Sequence, residues 1–111
     1  MAMIDLIEPN LPAIRALCRE HGVLRLDLFG SAATGEFDPE TSDLDFIATF
    51  ADTHVPGYAD RYLGFAEALE ALFGRSVDLL TERSIRNPYF RQAVEATRKA
   101  IHVEPDASAV A

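Results

Sequence analysis

Two short runs of alternating apolar residues constrain this chain more than any other feature. In residues 23–29, Leu24, Leu26 and Leu28 alternate with more polar positions; in residues 43–50, Leu44, Phe46, Ala48 and Phe50 alternate with Asp43, Asp45, Ile47 and Thr49. A period of two marks strands with distinct faces. The first run leaves directly into Phe29-Gly30-Ser31-Ala32-Ala33-Thr34-Gly35, and the second opens at Ser42-Asp43-Leu44-Asp45. Alternate strand residues lie about 6.5 to 7 Å apart and project from one face, so Asp43 and Asp45 point the same way.

The remaining segments alternate helices with strands. Asn10 is placed to cap a first helix, Pro12 is tolerated in its first turn, Leu11, Ile14, Leu17 and Cys18 share a face, and Gly22 ends it. Tyr58, Tyr62, Phe65, Leu69 and Leu72 are spaced by four, three, four and three, predicting a second helix that Gly74 stops. In Ser76-Val77-Asp78-Leu79-Leu80 a strand carries Asp78 in opposite phase to its apolar neighbours, and Asn87-Pro88 starts a helix whose inner stripe is Phe90, Ala93, Val94 and Thr97. Ile101-His102-Val103 adds a terminal strand, and from Glu104 the composition predicts a frayed tail. The expectation is one α/β (α+β) two-layer sandwich over residues 1–103, with a mixed sheet of three to four strands flanked by helices and a tail over 104–111.

Composition excludes several functions. A chain of 111 residues supports one core. No apolar run approaches the roughly 20 residues needed to span a bilayer and the start carries no basic leader, so a cytoplasmic protein without membrane contact is expected. The single cysteine, Cys18, is read as core packing. A formal charge of −8 repels polyanions, which favours a small substrate or a protein partner over direct nucleic-acid binding. His21, His54 and His102 are too scattered for a zinc motif and read as surface or helix-end residues. Tyr58 and Tyr62 read as core, and Arg83, Arg86, Arg91, Arg98 and Lys99 as a solvated basic face.

The chemistry rests on the carboxylates and the turn. Two like charges this close repel unless a cation neutralises them, and magnesium is often held by one or two carboxylates plus substrate phosphates. An isolated Asp-x-Asp commonly does no more than end a strand. Here Gly30 permits a tight turn, and Ser31 offers a hydroxyl and an N–H to phosphate oxygens. The segment contains neither the lysine-bearing phosphate loop nor the dinucleotide fingerprint.

Gly30-Ser31-x-x-x-Gly35 followed by Ser42-Asp43-x-Asp45 resembles the signature of the DNA polymerase beta nucleotidyltransferase superfamily, and the short chain resembles its minimal nucleotidyltransferase branch. The resemblance implies that Gly30, Ser31, Thr34, Gly35 and Ser42 contact the nucleotide, that Asp43, Asp45 and Asp78 form the catalytic and metal-binding set, and that two Mg2+ ions and ATP are used. Members of the branch commonly carry arginine where this chain has Thr34, so a neutral hydrogen bond from Thr34 would replace a charged one, or Arg25, Arg61 or Arg75 would supply the charge. Single-domain relatives are typically encoded beside a HEPN-type helical ribonuclease toxin. The resemblance therefore implies an antitoxin that transfers AMP to a toxin tyrosine. A binding-only antitoxin and a small-molecule nucleotidyltransferase completed by a helical partner are the alternatives, and self-association is left open.

Overall fold

The computed structural model describes residues 7–34 and 43–104. A single 3-10 turn, Glu8–Asn10, leads into α1 (Leu11–His21), and β1 (Val23–Phe29), α2 (Ser31–Thr34), β2 (Leu44–Phe50), α3 (Tyr58–Phe73), β3 (Val77–Thr81), α4 (Pro88–Thr97) and β4 (Lys99–Val103) follow. Gly22 and Gly74 close α1 and α3 in the left-handed conformation, as helix-ending glycines do. Asn87 accepts hydrogen bonds from the N–H groups of Tyr89 and Phe90 and so caps α4. Asn10 differs from expectation: no side-chain cap bond forms at α1, because the preceding 3-10 turn holds its backbone outside the extended conformation a cap requires.

The four strands form one sheet in the order β3-β2-β1-β4. The β1 strand pairs antiparallel with β2 and with β4, whereas β2 and β3 run parallel. One face meets α1 and α3: Leu26, Leu28, Leu44, Phe46 and Ala48 pack with Ile14, Cys18, Phe65 and Leu69. This is the main core, and loss of a buried ring such as Phe65 would cost about 3 to 5 kcal/mol. Tyr58 and Tyr62 lean on it as expected, stacking around Phe50. Burial, and to a lesser extent the charge of Glu104, pushes the Cys18 thiol up to about 12, so it behaves as a small hydrophobe.

The second face is thinly covered. Phe29 and Ile47 pack with Ile85 and with Val94 of α4. The inner stripe expected for α4 is narrower than its periodicity suggests: Ala93 is exposed, and Phe90 is half out of the core with its ring edge-on to Phe29. His102 also departs from expectation. It is buried and bonds Glu104 through Nε2 at 2.8 Å, because β4 continues pairing far enough for the Glu104 N–H to reach the Leu24 carbonyl. Among the described residues no helix is long and apolar enough to cross a membrane.

What holds α4 to this face is charge. Asp27, in the middle of β1, is fully buried. Arg98, just past α4, donates to it through Nε at 2.7 Å and again through Nη2, and Arg25 donates from its own strand at 3.1 Å. Arg98 also meets Glu82 and Glu95, and Arg91 meets the same two acids. The residues read as a solvated basic face thus include two that form an internal clamp. Removing one partner of a buried pair leaves an uncompensated charge. Arg98→Ala should therefore lower unfolding free energy in urea titrations by about 3 kcal/mol, with Arg25 limiting the loss, and Arg91→Ala should change it much less.

Candidate active site

The acidic residues fall where strand register puts them. Phe29 is the cross-strand neighbour of Asp45, and Asp45 is the neighbour of Asp78 in the parallel β2–β3 pair. Cross-strand neighbours share a face, so Asp45 and Asp78 both project from the α4 side of the sheet, opposite the main core. Asp43 stands immediately before β2, two residues from Asp45, and is exposed. Asp78 is exposed and Asp45 partly buried.

Electrostatics bind these three into one unit. Asp45 is pushed up to about 6 by burial first, then by the charge of Asp78, by that of Asp43, and by a hydrogen bond with the Asp78 carboxyl. A carboxyl pair shares a proton when two like charges cannot both be ionised at short range. Among the described residues no three His, Cys, Asp or Glu side chains converge into a ready metal cage. The geometry instead gives one contiguous oxygen pair, with Asp43 two residues from Asp45 and close enough for its charge to act on it. An oxygen-only donor set of that size fits a hard cation that keeps waters or phosphate oxygens as its other ligands.

The turn after β1 lies directly on this pair. Gly30 has φ +75°, and a Cβ placed on it would stand 2.6 Å from Asp45 Oδ2. Glycine is therefore required twice, by backbone conformation and by space. The Gly30 carbonyl accepts from the Ala33 and Thr34 N–H groups, starting α2. Its own N–H donates to Thr97 Oγ1 at 3.1 Å, so the Gly30 amide is committed to α4, and Ser31, the next residue, is half-buried.

Thr34 is exposed, and its hydroxyl donates to the Ser31 carbonyl at 3.2 Å, one turn back in its own helix. The neutral donor expected to replace arginine is turned inward. Arg25 is engaged by Asp27, and Arg61 donates to the backbone carbonyls of His21, Ala51 and Asp52, at the end of β2 away from Asp45. Arg75 lies three residues before Asp78, at the acidic end of the sheet. Gly35 and Ser42 lie outside the described residues. Sequence reasoning passed over two residues that shape the site, Asp27 and Thr97. The signal for Asp27 was a lone acid within an apolar strand, and for Thr97 a hydroxyl at the end of a helical stripe.

Similarity to known proteins identifies the family of the fold. Residues 13–101 match the family model described as a nucleotidyltransferase domain. A protein of Methanocaldococcus jannaschii, provisionally named a protein adenylyltransferase, is 37% identical over 94 residues, covering 78% of this chain and 92% of that protein. The protein adenylyltransferase MntA of Thermococcus cleftensis is 37% identical over 90 residues, covering 78% of this chain and 87% of its own. A solved structure provisionally described as a minimal nucleotidyltransferase superposes with a TM-score of 0.70 at 32% identity, covering 89% of this chain and 95% of that one. A chain from a mutant MntA–HpeT toxin–antitoxin crystal structure gives 0.62 at 25% identity, covering 89% and 76%.

The raised Asp45 carboxyl has a measurable consequence. A carboxyl whose folded pKa lies above its unfolded value stabilises the fold at low pH, and that contribution is lost as pH rises through the folded value. For Asp45 the window runs from about 4 to about 6. In the ligand-free protein, carboxyl carbon NMR should place the Asp45 midpoint near the upper end of that window. Asp78→Asn should move it down, and Asp45→Asn should flatten the corresponding part of the stability–pH curve.

Proposed function

We propose that this chain, which belongs to the nucleotidyltransferase domain family, transfers AMP from ATP to a hydroxyl of a partner protein. The observation that carries the proposal is the Asp45–Asp78 pair, held side by side by parallel strand register with the Gly30 turn seated on Asp45. An acidic pair beside a close-approach glycine turn is suited to holding cationic charge and polyphosphate together. It is otherwise a costly arrangement for a fold to keep.

Asp43, Asp45 and Asp78 would hold Mg2+. Bound there, the metal supplies neutralisation of phosphate charge and a lowered pKa for the attacking hydroxyl. Ser31, by its hydroxyl and N–H, holds the terminal phosphates at the mouth of the turn. Asp78, exposed at the rim, receives the proton of the attacking hydroxyl. A bond forms between that oxygen and the α-phosphorus, the α–β bridging bond breaks, and pyrophosphate leaves. Occupation by a cation and loss of the Asp45 proton are linked, so affinity for magnesium should rise with pH through about 6.

The acceptor is a tyrosine of a HEPN-type ribonuclease toxin, and the chain acts as its antitoxin in the cytoplasm. The names of its relatives support protein as the acceptor class, and the toxin–antitoxin complex among its structural neighbours supports a toxin as partner. A second reading, an antitoxin that neutralises by binding with weak catalysis, is favoured by one observation: Thr34 donates its hydroxyl back into α2, at the position where the resemblance to the minimal nucleotidyltransferase branch implies an arginine.

Incubation with ATP, magnesium and the protein encoded beside it, followed by weighing that neighbour, separates the two. A gain of one AMP is expected, whereas a stable unmodified complex supports the second reading. Asp43→Asn and Asp45→Asn should each abolish transfer while leaving the circular dichroism spectrum unchanged. Metal-dependent labelling by radioactive ATP that persists in both variants would sink the catalytic assignment.

A further inference from the structure

The structure assigns Thr97 a positioning role: its hydroxyl, at the last residue of α4, holds the Gly30 turn against Asp45. The assignment rests on the nucleotide reading of that turn. Thr97 Oγ1 accepts the Gly30 N–H at 3.1 Å across 67 residues of chain. The same oxygen lies 3.2 Å from the Ala93 carbonyl and 3.4 Å from that of Val94, to which it returns its own proton. With the proton directed back into the helix, its lone pairs face Gly30. Only a hydroxyl performs both tasks, and valine, of nearly the same shape, performs neither.

Such back-bonding contributes little to a helix and tends to weaken it. Its value lies in what the oxygen receives. Gly30 sits at φ +75° with no room for a Cβ, and glycine is the residue with the greatest backbone freedom. A turn that must be glycine and must also be fixed needs an external holder. Thr97 supplies one, and the next residue anchors it, since Arg98 bonds the buried Asp27 three residues upstream of Gly30 on the same strand. Two consecutive residues at the end of α4 therefore grip two points of one stretch of chain. Glu82, just past β3, bonds both Arg98 and Arg91, which ties the strand carrying Asp78 to the same anchor. Thr97 acts through Gly30 on Ser31 and on the Asp45 carboxylate.

The test compares Thr97→Val with Thr97→Ser in the whole chain by two readouts: fluorescence titration with mant-ATP and magnesium, and hydrogen exchange of the Gly30 amide by NMR. Valine should weaken mant-ATP binding about tenfold and expose the Gly30 amide to exchange. Serine, which keeps the hydroxyl, should restore both. If valine does not permit folding, Thr97→Ala makes the same comparison with serine. Wild-type affinity in the valine or alanine variant, or a Gly30 amide equally protected in all variants, would overturn the role of Thr97. Absence of mant-ATP binding in the unsubstituted chain would instead remove the nucleotide reading itself, and the role of Thr97 with it.

Discussion

Parallel pairing of β2 with β3 is the constraint on which the site depends. It sets Asp45 and Asp78 abreast on one face, at the cost of placing two negative charges together in a partly buried position. Burial and the neighbouring charge of Asp78 raise the Asp45 carboxyl to about 6, so that it gives up its proton later than an ordinary aspartate. Everything nearby is arranged around that strained point: the Gly30 turn leaves space only for the carboxylate, and Phe29 and Ile47 fill the adjoining surface. The opposite face of the sheet carries most of the apolar core, so stability and chemistry are divided between the two sides.

The thin covering of the chemical face explains the unusual use of charge. A single short helix with one buried apolar residue, Val94, cannot be held there by hydrophobic burial alone. The Asp27–Arg98 pair does so through a buried carboxylate with two guanidinium partners, and Glu82 and Glu95 complete the balance. A buried ion pair is a poor source of net stability but a strict selector of geometry, since any displacement leaves a charge without its partner. For a helix whose end must contact a turn at one atom, that selectivity suits the task better than a greasy patch on which the helix could slide.

Much of this was legible in the residues. Alternation located β1 and β2, glycines marked the ends of α1 and α3, and the phase of Asp78 against Val77 and Leu79 put it on the same side as Asp45, because strand faces follow strictly from parity. Parity could not say that β2 and β3 are neighbours or that they run parallel; that follows from the crossover through α3. Nor could local pattern reveal long-range polar contacts. Asp27 drew no reading and Arg98 was read as a surface charge, since their meaning depends on each other, 71 residues apart. His102 was misread because its burial depends on how far β4 continues along β1. Thr34, expected to contact a nucleotide, is exposed, and its hydroxyl donates to the carbonyl one turn back, a local bond that sequence pattern does not reveal.

One feature of the sheet bears on how long the site stays assembled. Among the described residues β3 is an edge strand, paired on one side, and it carries Asp78. Edge strands open more readily than central ones, and local opening need not involve the rest of the fold. Two side chains from α3 fasten it: Glu70 accepts the Val77 N–H at 3.2 Å, and the Tyr62 hydroxyl donates to the Leu79 carbonyl. These fastenings flank Asp78 on either side. The persistence of the acidic pair thus depends on one strand and on a helix on the opposite face of the sheet, and because Leu79 and Val77 of that strand pack into the main core, the two sides of the sheet share it.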